Sequence, residues 1–490
     1  MVNATMPDIS FITAIATLMP EVMLSGAIVI LLLGGVFIGS KGAVKIHGLA
    51  VFVLMSLLVL MFYPPMLHLK REFFFGLFIT DDFSYYVKTL LIAGALLSFM
   101  LAGGWLGREE NRQPEFPVLM LLALLGMMLM VSANDLMALY LGLELSSLPL
   151  YVLAAISRDS TKATEAGLKY FVLSALASGI LLFGASLVYG FAGSTSFTAL
   201  GHLLKAGAAI DPAVLVGLVL IIVSLCFKIS AVPFHMWTPD VYEGAPTPVT
   251  AYFSIAPKIA AIALFARVLS GPFGGMMGQW QQVIVVVSAI SMVVGALGAL
   301  TQSNIKRLLA YSSIGHVGYG LVGLAAGGID GISSVLIYFT LYVPMSAGAF
   351  ACVLMMQRGG EPAEQLSDLA GLSRTRPRMA FALAVFMFSM AGIPPLAGFF
   401  GKLYVFLAAL HSGLTVLAVI GVLASVLACF YYLKVVKIMY FDEPAAAFDT
   451  KMPAALRWAL AVCTLITLCF FLMPAPLVTG ARTAAEALFQ

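Results

Sequence analysis

The stretch Leu225-Cys-Phe-Lys-Ile-Ser-Ala-Val-Pro-Phe-His-Met-Trp-Thr-Pro-Asp240 places a lysine, Lys228, in an apolar run and follows it with Pro233. An ionisable side chain is expensive to bury in a membrane span, and it marks a functional site by default. Proline interrupts helices, and transporters place their ion sites at such interruptions. The stretch therefore predicts a broken transmembrane helix with a functional lysine beside the break.

A second stretch of this kind, Ala391-Gly-Ile-Pro-Pro-Leu-Ala-Gly-Phe-Phe-Gly-Lys402, lies far downstream. The segments that contain the two lysines, between Asp211 and Asp240 and between Arg378 and His411, have 28 and 32 residues. Both exceed one straight crossing of about 20 residues. Two lysines on two broken helices indicate ion movement across a membrane.

The composition is that of an all-α polytopic membrane protein. Of 490 residues, 61% are hydrophobic and only 10% are charged, whereas soluble domains carry about 25% charged residues. The net charge of +3 is small and spread over loops, so it gives no indication of nucleic-acid binding. The five cysteines lie in apolar runs without a C-x-x-C or Cys/His cluster, which predicts no zinc, iron–sulfur or haem site. The first ten residues lack a basic residue, so no cleaved signal peptide is expected.

Fourteen segments are long and apolar enough to cross a bilayer. They cover residues 19–39, 46–65, 84–106, 116–133, 135–156, 163–191, 212–233, 247–269, 281–302, 306–326, 331–357, 379–410, 414–438 and 455–475. Residues 67–83 alternate phenylalanine with charge and predict a short hairpin outside the membrane. No composition shift marks a soluble domain, so residues 1–490 are predicted to form one transmembrane domain.

The basic residues predict how the spans are oriented. If the N-terminus faces outward, the inner loops hold 16 of the 26 lysines and arginines, and the outer loops hold 6. Inner loops are enriched in these residues. The four others, inside spans, are Lys169, Lys228, Lys258 and Lys402. This asymmetry agrees with fourteen spans and predicts both termini on the outer side.

The two interrupted spans are the seventh and the twelfth, so they cross the membrane in opposite directions. That placement is typical of inverted repeats of five helices. It predicts a first repeat over residues 116–269 and a second over residues 281–438. Direct sequence identity between the two segments is weak.

Two ionisable groups precede the first break. Glu144 lies about 14 Å into its span at 1.5 Å per residue, and it is predicted to act on a neighbouring lysine, with helix packing as the alternative. Lys169 lies about a turn and a half inside its helix, where snorkelling to the inner surface is the alternative.

The remaining candidates complete a polar row on at least five helices. Lys258 and His316 are predicted near the middle of the bilayer, and Lys402 follows the second break. For His316 the alternative is an ordinary hydrogen-bonded histidine, and for Lys228 and Lys402 it is a static ion pair. Each burial costs several kcal/mol without a partner or water, so a row of this kind indicates proton or ion transfer.

The motifs resemble the antiporter-like membrane subunits of the proton-pumping NADH:quinone oxidoreductase, complex I. Residues 165–179 (EAGLKYFVLSALASG) and 310–319 (AYSSIGHVGY) are most similar to the subunit N branch. The run from Pro233 to Val249 is shared more broadly with cation/proton antiporter and membrane-hydrogenase subunits. Carried over by motif, Glu144 matches the family's glutamate of the fifth helix. Three lysines match those of the seventh, eighth and twelfth helices: Lys228, Lys258 and Lys402.

The resemblance implies a bacterial inner-membrane protein in an assembly with other antiporter-like subunits. NADH, FMN, iron–sulfur clusters and quinone are then expected in partner subunits, because this chain has no Rossmann glycine motif and no cluster ligands. The predicted function is proton translocation in a redox-driven pump. The alternatives are a monovalent cation/proton antiporter subunit and a membrane scaffold whose buried charges only set helix packing.

Overall fold

The structure is a computed structural model that describes residues 18–62, 70–205, 210–449 and 453–489. The predictions for the first ten residues and for the start of the 67–83 hairpin lie outside these ranges. The described chain is almost entirely helical. Its helices are α1 (Met19–Ile38), α2 (Ala43–Met61), α3 (Asp82–Leu106), α4 (Glu115–Val131), α5 (Leu136–Ala154), α6 (Thr161–Ala192), α7 (Phe197–Leu203), α8 (Pro212–Ile229), α9 (Trp237–Gly244), α10 (Thr247–Ser270), α11 (Met277–Leu300), α12 (Ile305–Ala326), α13 (Gly328–Met355), α14 (Leu372–Thr375), α15 (Pro377–Ala391), α16 (Ala397–His411), α17 (Thr415–Phe441), α18 (Ala454–Cys469) and α19 (Ala475–Glu486).

Within the described ranges, twelve helices are long and apolar enough to cross a membrane, and α4, α15 and α16 are shorter apolar helices. This confirms the all-α polytopic class. The count of fourteen crossings and the two inverted repeats stay predictions. Four of the described helices lie outside the predicted spans because they are short or amphipathic: α7, α9, α14 and α19.

Both predicted interruptions are present. The first follows α8, where Ser230 adopts a left-handed backbone conformation and the chain turns before starting α9. The second separates α15 from α16, and it begins at Gly392 with a φ of 91°. Proline cannot continue the hydrogen-bond ladder of a helix, so Pro233 and Pro394-Pro395 account for the positions of the breaks.

The described residues also form two small antiparallel hairpins. Strands β1 (Arg71–Phe73) and β2 (Phe78–Thr80) pair antiparallel, as the alternation of phenylalanine and charge predicts. Strands β3 (Gln357–Arg358) and β4 (Glu361–Pro362) form a second antiparallel pair that the sequence analysis did not predict.

The centre of the bundle consists of α10, α12 and α13, whose side chains are almost all buried. Small residues let neighbouring helix backbones approach closely. A Cβ on Gly295 of α11 would lie 2.6 Å from the backbone nitrogen of Gly315 in α12, so only glycine fits there. Lys258 of α10 and His316 of α12 therefore lie deep inside protein.

Lys88 and Arg267, two of the six basic residues that were counted with the outer loops, lie within helices and are buried. Lys88 of α3 forms an ion pair with Glu21 of α1 at 2.6 Å. Arg267 of α10 donates two hydrogen bonds to Asp81, which caps the start of α3, at 2.8 and 2.9 Å.

Candidate functional site

Lys228 lies at the C-terminal end of α8 and is hydrogen-bonded to hydroxyl groups of two other helices. Its Nζ donates to Ser147 Oγ of α5 at 2.8 Å and to Ser174 Oγ of α6 at 2.7 Å. Tyr151 of α5 also donates to Ser174 Oγ, at 2.5 Å. The break after α8 therefore presents the ammonium group to neutral oxygen atoms.

Glu144 lies three residues before Ser147, so the two side chains share a face of α5 one turn apart. Its Oε1 is buried without a hydrogen-bond partner among the described residues, although the residue as a whole is only half-buried. The predicted partner, Lys228, bonds to the serine hydroxyls and makes no ion pair with Glu144 in the described chain. Any action of this carboxylate on the lysine is thus exerted over a distance.

Lys258 is 2% exposed, and its Nζ donates to Ser313 Oγ of α12. The Ser313 hydroxyl is also hydrogen-bonded to Tyr342 Oη of α13 at 2.9 Å. The ammonium lies 5.3 Å from the centroid of the Tyr242 ring, a favourable cation–π distance. Lys258, the second lysine of the row, therefore also faces neutral groups.

His316 is held between two tyrosines. Its Nδ1 is hydrogen-bonded to Tyr338 Oη at 2.6 Å, and its Nε2 to Tyr432 Oη at 3.1 Å. The Tyr432 hydroxyl is in turn 2.6 Å from Ser312 Oγ. Because each hydroxyl can donate or accept, these bonds fix the ring whichever nitrogen carries the proton.

Lys402 reaches back from α16 across the second break. Its Nζ donates to the carbonyl oxygens of Met390 at 3.0 Å and Ala391 at 2.9 Å, and to Ser425 Oγ at 2.7 Å. The last carbonyls of a helix lack intrahelical partners, so the lysine satisfies two of them at the end of α15. The Tyr319 ring centroid lies 4.7 Å from its Nζ.

Aromatic rings bring the last three groups side by side. The ring of His316 lies 5.1 Å from that of Tyr342, which bonds to the Lys258 cluster, and 6.2 Å from that of Tyr319, which faces Lys402. Lys258, His316 and Lys402 lie on α10, α12 and α16, and their tyrosine neighbours include residues of α13 and α17. The structure therefore brings together Lys258, His316 and Lys402, as predicted from the sequence.

Lys169 is placed apart from this row. Its side chain is 40% exposed and forms ion pairs with Glu165 at 2.7 Å and Asp240 at 2.8 Å. Partial burial alone would raise the pKa of Asp240, but hydrogen bonds from Lys169 and Arg307 outweigh it and lower that pKa. This environment is that of the snorkelling alternative, and a role for Lys169 in proton transfer stays a prediction.

Comparison with known proteins identifies the family. Residues 133–428 match the family model described as NADH:quinone oxidoreductase/Mrp antiporter, TM. The chain is 54% identical over 470 residues to NADH-quinone oxidoreductase subunit N of Rhodospirillum rubrum, covering 96% of both chains. It is 52% identical over 475 residues to the protein of that name from Paramagnetospirillum magneticum, covering 96% of this chain and 97% of the relative. The chain belongs to the subunit N family.

Solved structures with the same fold include relatives from two kinds of complex. A chain of respiratory complex I from Thermus thermophilus has a TM-score of 0.80 at 32% identity, covering 94% of this chain and 98% of that one. A chain of the Mrp complex from Dietzia sp. DQ12-45-1b has a TM-score of 0.85 at 25% identity, covering 98% of both. The predicted resemblance to antiporter-like subunits is confirmed.

This member of the subunit N family also buries charges that the sequence analysis did not single out. Lys306, 3% exposed, donates to Glu364 Oε1 at 3.0 Å and to two backbone carbonyls, those of Glu243 and Ala245. Lys306 is the second residue of α12, and the sequence alone predicts that it lies in a loop. Its burial depends on residues far along the chain, which no local pattern reports.

The described chain offers no evident metal site. In residues 18–62, 70–205, 210–449 and 453–489, no three histidine, cysteine, aspartate or glutamate side chains lie together as metal ligands would. The expectation that this chain binds no redox cofactor stays a prediction.

Proposed function

We propose that this chain translocates protons as the subunit N of a membrane-bound NADH-quinone oxidoreductase. The redox chemistry is carried by other subunits of that complex. Glu144 and the row formed by Lys228, Lys258, His316 and Lys402 transfer the protons. FMN, iron–sulfur clusters, NADH and quinone bind elsewhere in the assembly.

One observation carries this proposal: among the described residues, the three row lysines donate only to neutral groups, whereas the buried Lys88, Arg267 and Lys306 have carboxylate partners. Lys88 is paired with Glu21, Arg267 with Asp81 and Lys306 with Glu364. A buried ion pair keeps each partner charged, since removing one charge leaves the other uncompensated. A lysine among hydroxyls and carbonyls keeps hydrogen-bond partners in both protonation states, so it can gain and lose a proton. This argues against the scaffold interpretation.

The residues of the row have different roles in proton transfer. Each lysine holds a proton at Nζ that it donates to serine or carbonyl oxygens, and Ser147, Ser174, Ser313 and Ser425 orient the ammonium groups. His316 links two tyrosine hydroxyls and so can pass a proton through its ring by exchanging tautomers. Glu144 acts on Lys228 by its charge.

The antiporter alternative has less support. The likeness to the Mrp chain is structural at 25% identity, whereas identity to the two subunit N sequences is 54% and 52%. The proposal places the chain in a bacterial inner membrane beside other antiporter-like subunits, with both termini on the outer side. Sodium-dependent transport without a dehydrogenase partner would favour the antiporter alternative.

The decisive test replaces Lys228 by arginine in the intact complex. Arginine keeps the positive charge but does not release its proton at physiological pH. We expect Lys228→Arg to assemble normally and to lower redox-linked proton uptake into vesicles by about tenfold or more, in the range of lost acid–base catalysis.

A matched control is Lys88→Arg, because the buried Lys88 faces a carboxylate, and an ion pair needs only the charge. This variant should retain pumping at an unchanged yield of assembled complex. Wild-type pumping by Lys228→Arg would show that Lys228 never needs to deprotonate, and the relay would be refuted.

A further inference from the structure

A groove on the lipid-facing side of the bundle runs between α15 and α18. Its volume is about 790 Å³, and its walls are mostly apolar, with Met379 and Ala382 from α15 and Leu460, Leu465 and Leu468 from α18. Phe381 and Leu465 are 53% and 61% exposed. The groove belongs neither to the proton row nor to the pairs described above.

One end of the groove is strongly basic. Arg376, Arg378 and Arg457 line it, and no acidic residue is among its described lining. Arg376 donates to the backbone carbonyls of Phe448 and Asp449. Arg378 and Arg457 are exposed and form no ion pair with any residue of the described ranges. Two uncompensated guanidinium groups therefore stand at the mouth of an apolar channel.

The length of the channel matches half a bilayer. Arg457 stands in the first turn of α18, and Leu468 is eleven residues further, about 16 Å along the helix. One leaflet of the hydrocarbon core is about 15 Å thick. A chain that lies along the groove would therefore have its polar end at the arginines and its tip near the middle of the membrane.

We propose that this groove binds one anionic phospholipid, with an acyl chain between α15 and α18 and the phosphate at Arg378 and Arg457. Guanidinium groups bind phosphate in a planar, bidentate geometry. Basic pockets between transmembrane helices recognise anionic headgroups in this way. The site is a structural lipid site, and it is independent of the proposed proton transfer.

The test uses the assembled complex in phosphatidylcholine vesicles that contain phosphatidylglycerol with a diazirine on its acyl chain. After illumination, mass spectrometry measures labelling of peptides that contain residues 379–382 and 460–468. We expect the double variant Arg378→Gln/Arg457→Gln to lower labelling by about 25-fold, since each basic group at an anionic lipid surface contributes about fivefold. Ala461→Trp, which fills the groove but keeps both arginines, should also lower it.

The matched control is Lys41→Gln/Lys45→Gln, which removes two exposed basic groups, one between α1 and α2 and one in the first turn of α2, and should leave the labelling unchanged. Equal labelling by phosphatidylcholine with the same diazirine would refute an anionic site. Absence of labelling in the wild-type complex, as expected if a neighbouring subunit covers the groove, would refute a lipid site.

Discussion

The chemistry of single residues favours the proposed transport row over a scaffold. Lys228, Lys258 and Lys402 each donate to hydroxyl or carbonyl oxygens. Uncharged acceptors of this kind leave the proton on nitrogen free to be moved by a nearby charge. Glu144, half-buried and one helical turn from Ser147, is the carboxylate placed to supply that charge.

Substitutions of Glu144 test whether its charge acts on the row. Glu144→Gln removes the charge at constant shape, and redox-linked proton uptake should fall by about fivefold to tenfold, equivalent to about 1 to 1.4 kcal/mol of charge interaction. Glu144→Asp keeps the charge on a shorter side chain and should be milder. The two variants and the wild type are compared in vesicles at equal amounts of assembled complex. Equal uptake in all three would leave Glu144 with a packing role only.

The positions of the row residues could be predicted from sequence, but their partners could not. An ionisable side chain in an apolar run stands out locally, which is how Lys228 and Lys402 were found. Ser147, Ser174 and Ser425 approach them from helices 23 to 81 positions away along the chain. A serine in a span carries no local signal, since it also bonds readily to its own helix.

At the scale of elements, the break between α15 and α16 couples a proposed proton site to the backbone geometry of the two half-helices. Lys402 lies on one half-helix and bonds to the terminal carbonyls of the other. Protonation of this lysine and the relative position of the two half-helices are therefore linked. The longer break after α8 differs, because Lys228 bonds to side chains of other helices instead.

Gly392 provides a test of this link. A Cβ there would lie 3.0 Å from Lys402 Cδ and 3.3 Å from its Nζ, so Gly392→Ala must displace the lysine. Since small displacements of reacting groups have large kinetic effects, we expect proton uptake to fall by about fivefold or more. Uptake is measured in vesicles at matched amounts of assembled complex.

Gly413 is the matched control, because it also has a positive φ, 77°, but no atom lies within 4 Å of a Cβ placed there. Gly413→Ala carries the same backbone strain of about 1 to 2 kcal/mol without touching Lys402. Equal loss in both variants would assign the effect to backbone strain and not to the lysine.

The sequence predicts the long apolar helices and the proline breaks, but it does not predict the short or amphipathic helices. The spans around α1, α3, α10 and α12 agree with the predicted segments within a few residues. The helix α9 was missed because Trp237–Gly244 contains Pro239 and is too short to show a period. The helix α19 was missed because Ala475–Glu486 is dominated by small residues, which pack against α3 and α13.

At the scale of the whole molecule, two buried ion pairs fasten α3 to its neighbours. Glu21 of α1 holds Lys88, and Arg267 of α10 holds Asp81 at the start of α3. Removing one partner of such a pair typically costs about 3 to 5 kcal/mol. These charges support the frame, whereas the lysines on α8, α10 and α16, which we propose to transfer protons, form no ion pair with the described residues.

The distribution of basic residues predicts the orientation of this frame in the membrane. Moving Lys88 and Arg267 from outer loops into buried pairs strengthens the excess of basic residues on the predicted inner side. Arg374, Arg376 and Arg378 then mark inner loops, and fourteen crossings place both termini outside. Single cysteines near Ser10 and Gln490 should react with an impermeant maleimide only from outside, and a cysteine at Arg374 only from inside. Opposite accessibility of the two termini would require an odd number of crossings. The segments 116–269 and 281–438 could then not be paired as inverted repeats with the breaks at equivalent positions.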